Sequence, residues 1–303
     1  MEQSLDLFSE TMRQENAVPN VASVPQRSPF RYAGGKTWLV PMIRTWLRSR
    51  NFIQSDLFEI FAGGATVGLT AAFEGLVRRS ILVEFDPQVA SVWHTVLGPE
   101  WKWLADRIVN FNVNAETVAT ELQRIPATSA ELAFQTILRN RVNHGGILAP
   151  GVGLIKEGEN GKGLKSRWYP DTLYRRISSI AYMREVIDII EGDGISVLCA
   201  NLSRKDALFF IDPPYTAAGK KAGRRLYSYN ELDHEDLFEN TAKVAGDFLM
   251  TYDNAEGVKD LAKAHNFDYL EVAMKNTHHA NMTELLIGSD LEWARISLRA
   301  QGR

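Results

Sequence analysis

Leu208-Phe209-Phe210-Ile211 runs without a polar side chain into Asp212-Pro213-Pro214-Tyr215. An apolar run stopped by prolines predicts a buried strand that ends abruptly. Pro213 and Pro214 lack an N–H and each fixes φ, so the strand cannot continue. The carbonyls of Asp212 and Pro213 are then rigid acceptors beside a carboxylate and a flat aromatic ring. That set suits the grip of a planar amino group: acceptors for its hydrogens and a ring to stack its base.

Two further short apolar runs end in polar punctuation. Residues 57–61 lead into Ala62-Gly63-Gly64-Ala65-Thr66 and a helical pattern from Val67 to Glu74. Strand, glycine turn and helix form the nucleotide-site geometry of an open α/β sheet. Residues 80–83 end in Glu84-Phe85-Asp86-Pro87. An acid after the second strand, about twenty residues beyond the glycine turn, is placed to accept hydrogen bonds from ribose hydroxyls. Glu84 is preferred to Asp86 for that role. Gly34-Gly35-Lys36-Thr37 invites a phosphate-loop reading, but Phe30 stands where the loop requires a glycine, which argues against ATP. Gly34 and Gly35 instead bring the backbone close to a helix start, with Lys36 beside it.

The 303 residues suit one large α/β domain or a domain with an insert. Residues 1–27 read as a mobile arm. Helices are predicted at 36–48, 93–110, 115–124, from the Thr128-to-Glu131 capping box to about Arg139, at 174–190, and at 233–245. Strands are predicted at 197–200, 248–252, 269–273 and 284–287. Net charge is −3, yet residues 139–184 hold nine Lys/Arg against three acids. A charge run is more often a solvated face, but a local basic excess on an acidic chain is also what a nucleic-acid surface looks like. This stretch includes the irregular, glycine-rich run up to Pro170. The lone Cys199 excludes an internal disulfide and fits a reducing compartment. With no apolar run of membrane length, a soluble cytoplasmic protein is expected. His278 and His279 have no carboxylate at ligand spacing, so no metal is expected.

Taken in order, Tyr32-Ala33-Gly34-Gly35-Lys36, Glu59-x-Phe61-x-Gly63-Gly64, Glu84 and Asp212-Pro213-Pro214-Tyr215 resemble the Dam-type (D12 class) adenine-specific DNA methyltransferases. The resemblance spans roughly residues 28–290 and touches Asn140-Arg141 and 165–170. It implies an α/β fold: a Rossmann-like seven-stranded sheet binding S-adenosylmethionine, with an inserted DNA-recognition region. The implied layout is a catalytic domain at 28–94 and 191–303, and an insert at 95–190. The implied cofactor contacts are Tyr32, Gly34, Gly35, Lys36, Glu59, Phe61, Gly63, Glu84, Asn201 and Asp212. Asp212 and the Pro213 carbonyl would hold the N6 amino group, with Pro214 stiffening the turn and Tyr215 stacking on a flipped adenine. Arg139, Asn140, Arg141, Lys165, Arg167, Lys220, Lys221, Arg224 and Arg225 would contact duplex DNA. A monomer is implied, and a companion restriction endonuclease is a conceivable partner.

Two departures stand out. Ala65 replaces a frequent third glycine, and Asn201-Leu202 stands where the family has an acid and an aromatic that contact the cofactor adenine. The rival readings are an N4-cytosine methyltransferase, methylation of RNA or of a protein glutamine, and a non-catalytic binding module of the same fold.

Overall fold

The computed structural model describes residues 24–31, 35–149, 151–158, 161–214, 232–275 and 281–301. Among them a single seven-stranded sheet has the order β3-β2-β1-β4-β5-β7-β6. The strands are β1 (Asp56–Glu59), β2 (Arg79–Glu84), β3 (Ile187–Glu191), β4 (Ala207–Ile211), β5 (Asp247–Asp253), β6 (Asp268–Lys275) and β7 (Asn281–Gly288). The first five pair parallel, and β7 runs antiparallel to both β5 and β6. This is the Rossmann-like α/β sheet expected from the sequence.

β4 explains why both faces must be covered. Its five residues are all buried. Leu208 and Phe210 enter one apolar cluster, while Ala207, Phe209 and Ile211 enter another across the sheet. A central strand with no polar position is stable only between two helical layers. One layer holds α1 (Val40–Ser49), α2 (Thr66–Phe73), α3 (Pro87–Leu97), α4 (Trp101–Asn110), α5 (Ala115–Gln123), α6 (Ser129–Val142) and α7 (Pro170–Ala181). The other holds α8 (Gly194–Ala200), α9 (His234–Thr241) and α10 (Glu256–Ala264). The last helix, α11 (Glu292–Gln301), returns to pack on α1.

Local chemistry sets these boundaries. Pro41 occupies the first turn of α1, where a missing N–H costs nothing. Asp86, Asn114, Thr128, Asp193 and Asp233 each cap a helix by accepting a backbone N–H.

Three sequence expectations need correction. The helix predicted at 93–110 is two helices, broken at Gly98-Pro99, because proline cannot continue a helix. The helix predicted at 174–190 ends at Ala181, and Ile187–Glu191 forms the sheet edge β3. The strand predicted at 197–200 is the last part of α8, started by the Asp193 cap. α10 and α11 were not read at all. The segment 95–190 therefore contributes a strand to the sheet as well as α4 to α7. Those helices share one buried cluster with Leu69 of α2 and Leu82 of β2.

Candidate active site

β1 lies between β4 and β2: its first residue, Asp56, pairs on one side with Ala207 of β4, 151 positions later, and on the other with Arg79 of β2. The strand order reverses at this point, which opens a crevice at the carboxyl ends of the strands. The turn after β1 borders it. Ala65 takes the left-handed conformation (φ 51°) just before α2. Its Cβ makes that conformation cost about 1 kcal/mol, so the missing third glycine has an energetic consequence. Gly63 is fixed from both sides: its N–H donates to Glu84 Oε2 (2.8 Å), and its carbonyl accepts from Trp93 Nε1 (3.0 Å).

Glu59 ends β1 and points at the start of α2. Its carboxyl accepts from Gly68 N (2.6 Å) and Val67 N (3.4 Å). Gly68 allows this, since a Cβ there would lie 2.8 Å from Glu59 Oε2 and 2.7 Å from Leu82 Cδ2. A side-chain carboxyl thus fills the helix N-terminus where a dinucleotide would set its phosphates. Burial pushes the Glu59 carboxyl up to about 8, against the two backbone N–H groups that favour its ionised form.

Glu84 ends β2, is buried, and accepts from Asp86 N (2.9 Å) as well as Gly63 N. Burial pushes it up to about 7. A carboxylate has about four acceptor directions, so the backbone N–H groups of Gly63, Phe85 and Asp86 leave capacity for a hydroxyl donor. Asp86 is occupied in capping α3 through Gln88 N (2.9 Å). Beside them Phe85 is an exposed aromatic, a residue the sequence reading passed over. Phe61 is half-buried against the cluster on the α8 side.

Asp212 follows β4. Its Oδ1 lies 3.0 Å from Lys36 Nζ and accepts from Thr251 Oγ1 (2.8 Å). Lys36, buried at the segment leading into α1, also reaches Glu284 Oε2 of β7 at 3.5 Å. Lys36 therefore joins the carboxyl after β4 to one on β7. Glu284 was read only as a strand residue, because nothing in a lone acid at a strand start reveals a partner 248 positions away. Burial pushes Glu284 up to about 7; the Lys36 ammonium opposes this, and Asp212 and Asp253 reinforce it. Behind Asp212, the Tyr252 hydroxyl meets His234 Nδ1 at 3.0 Å. Burial, then the Asp212 charge, raises the Tyr252 phenol.

Asn201 does not join this group. It ends α8 at the opposite edge of the sheet, donating to Val197 O (2.8 Å) and facing Arg204, which binds Asp56 at the start of β1. The family position about ten residues before Asp212-Pro213-Pro214-Tyr215 led to Asn201. Asp193 stands at the crevice end instead, just after β3, where Gly192 N donates to Glu84 O (2.9 Å) and Gly194 abuts the Ile60 carbonyl. The cue was the Gly192-Asp193-Gly194 turn after an apolar run.

The basic segment divides into an inner and an outer part. Asn140 is fully buried; its Oδ1 accepts from Arg31 N (2.8 Å), and its Nδ2 donates to Arg31 O (2.9 Å) and Gly146 O (2.7 Å). Arg141, also buried, donates to the Pro29 carbonyl, and Arg176 to Ser28 O (2.9 Å). Burial pushes Arg141 down to about 9. Asn140 and Arg141 are thus corrected from DNA contacts to braces of the chain that leads to Gly35 and Lys36. Gly146 makes this possible, because a Cβ there would come within 2.7 Å of the Arg31 carbonyl. Arg139 bonds Gln88 Oε1 (2.9 Å) and is half-buried, as is Arg167, whereas Lys156, Lys162 and Lys165 are exposed. Tyr32, Gly34, Tyr215, Lys220, Lys221, Arg224 and Arg225 lie outside the described residues. Among the described residues there is no cluster of three metal-ligating side chains, and no helix is long and apolar enough to cross a membrane.

No protein-family model matches the chain, and no curated protein matches it. Several solved structures are similar in shape. One is provisionally described as an RNA methyltransferase from Pyrococcus horikoshii (8% identity, TM-score 0.38, covering 84% of this chain and 83% of that one). Another is the precorrin-6y C5,15-methyltransferase of Geobacter metallireducens (9% identity, TM-score 0.32, covering 82% and 86%). A third is the precorrin-8w decarboxylase of Methanobacterium thermoautotrophicum (11% identity, TM-score 0.31, covering 82% and 89%). At such scores these likenesses carry no argument, and the architecture rests on strand order and direction.

Proposed function

We propose that the chain is an S-adenosylmethionine-dependent methyltransferase that modifies the N6 amino group of adenine in duplex DNA. The observation that carries this reading is the crevice at the β1/β4 reversal. On one side lies a turn whose helix N-terminus is filled by Glu59, with Glu84 beyond it. On the other side lies Asp212-Pro213-Pro214, with Asp212 fixed by Lys36 and Thr251.

The donor set fits a nucleoside without phosphates. A phosphate at α2 would meet the Glu59 carboxyl instead of free N–H groups. Glu84 keeps acceptor capacity for ribose hydroxyls, exposed Phe85 offers a face for a base, and Asp193 offers an acceptor for an adenine edge. The carboxyls Glu59, Glu84, Asp212 and Glu284 supply negative potential suited to a cationic ligand. When bound, S-adenosylmethionine supplies an electrophilic methyl on a sulfonium. Asp212 and the Pro213 carbonyl accept the two amino hydrogens, which turns the nitrogen lone pair out of the base plane. Positioning and electrostatics then lower the barrier. Exposed Lys156, Lys162 and Lys165 are proposed to hold the phosphate backbone, with double-stranded DNA as the partner.

The test is to express the chain in cells lacking adenine methylation and to map modified bases by sequencing. The expected result is N6-methyladenine in one sequence context, abolished by Asp212→Ala. Methylated cytosine N4 instead would retain the grip and change the base. No modified base in DNA, with label transferred to RNA or protein, would overturn the DNA reading.

A further inference from the structure

Transfer to an amino nitrogen leaves a proton to be disposed of. The N–C bond forms as the C–S bond breaks with its electron pair going to sulfur, and the nitrogen becomes a cation carrying both its hydrogens. One proton must leave to restore the amine. Asp212 is the acceptor in reach, yet it sits in a crowded field: Lys36 at 3.0 Å, with Glu59, Tyr252 and Glu284 coupled to it electrostatically. A carboxyl that kept the proton would block the next turnover. Lys36 is only 4% exposed and touches two carboxyls at once. A single charge-balancing contact would need one.

Resting on the function proposed above, we propose that Glu284 is the proton-accepting end of a relay that discharges Asp212 through the ammonium of Lys36. Lys36 gives one of its three protons to Glu284 and takes the proton Asp212 has received. Asp212 returns to carboxylate, Lys36 remains an ammonium, and Glu284 ends as the neutral acid. Atoms and charge balance: the amine loses one positive charge and Glu284 loses one negative charge. Glu284 acts through Lys36 and does not touch the base, so it is a positioning residue.

The groups facing Glu284 are consistent with this. Lys36 comes from the segment before α1, Asp212 from the end of β4, and Asp253 from β5, where it is the register partner of Glu284. On its other side the partner is Val272 of β6, which is buried and apolar. Burial first, then the opposing Lys36 ammonium and the Asp212 and Asp253 carboxylates, hold Glu284 near the midpoint of its titration at neutral pH, as an acceptor that must also release requires.

The test has a ligand-free arm. In wild-type protein the ¹⁵Nζ resonance of Lys36, assigned by its loss in Lys36→Met, should titrate with a midpoint near pH 7. That step should vanish in Glu284→Gln. Absence of any step between pH 6 and 8 in wild type overturns the relay without reference to a variant, as does a step that persists in Glu284→Gln. The second arm measures single-turnover transfer of labelled methyl to unmethylated plasmid DNA. The wild-type rate should rise with pH through about 7. At saturating cofactor Glu284→Gln should be pH-flat and lower by about 10²-fold, with DNA KM unchanged. Glu284→Asp should recover the pH dependence. A wild-type rate and profile in Glu284→Gln sinks the relay and leaves the methyltransferase reading standing. A Lys36 step with no label entering plasmid DNA sinks the DNA reading and leaves the coupled titration standing.

Discussion

Replacing Asn140 by Ala separates a brace from a DNA contact. Asn140 makes three hydrogen bonds, all to backbone groups of Arg31 and Gly146, and has no exposed surface. The Ala variant leaves one N–H and two carbonyls without that partner. Each fully buried orphan costs about 1–3 kcal/mol, but Arg31 is partly wet, so about 3 kcal/mol in total is expected. At about 2.1 cal/mol/K per residue over 303 residues, the unfolding entropy is about 640 cal/mol/K, and the loss corresponds to a Tm about 5 °C lower. The segment 28–31 also loses its tether, so Lys36 is held less well on Asp212, and kcat falls while the salt dependence of DNA binding does not change. Differential scanning calorimetry and binding at four salt concentrations read both quantities. An unchanged Tm together with a flatter salt slope would refute the brace and restore Asn140 as a nucleic-acid contact.

Three further outcomes follow from other residues. Burial raises the carboxyls of Glu59, Glu84 and Glu284; the stability this represents is full below about pH 4.5 and is lost as pH rises through 7 to 8. Urea denaturation of Glu59→Gln should therefore lie nearest wild type at pH 4.5 and exceed it increasingly up to pH 9, and parallel curves would contradict the assignment. Ala65→Gly relieves a left-handed φ of 51° and should stabilise by about 1 kcal/mol, whereas Gly68→Ala forces a Cβ to within 2.7 Å of Leu82 and should cost about 1–3 kcal/mol; thermal melts of the pair with the same sign would be wrong. Substituting Lys156, Lys162 and Lys165 together by Ala should lower the slope of log K against log salt by about 2.7, and an unaltered slope would remove that surface from the interface.

The residues that ended strands were legible because each carries a local chemical mark. Prolines stop β4, glycines turn the chain after β1, and an acid follows β2. These marks placed Asp212, Gly63 and Glu84 at one edge without coordinates. What could not be read depended on partners distant in sequence. Glu284 matters only because β7 is inserted beside β5, and no local pattern states that pairing. Asn140-Arg141 has the composition of a nucleic-acid contact, but burial decides its role, and burial is set by Gly146 and residues 28–31. Asn201 failed for a simpler reason. It was chosen by its distance from Asp212-Pro213-Pro214-Tyr215 in the resembling family, and that distance falls at the far end of α8 here.

The clamp that Asn140, Arg141 and Arg176 place on residues 28–31 has a consequence for how such a chain can diverge. Its inner ledge is committed to holding the Lys36 segment in register with β4 and β7. A substitution there alters the crevice at the ends of the strands before it alters any outer contact. Freedom to vary is therefore greatest on the outward rim, where Lys156, Lys162 and Lys165 are exposed and left-handed glycines at 151, 158, 161 and 163 turn the backbone. New preferences can accumulate on that rim while the chemistry beneath it stays fixed.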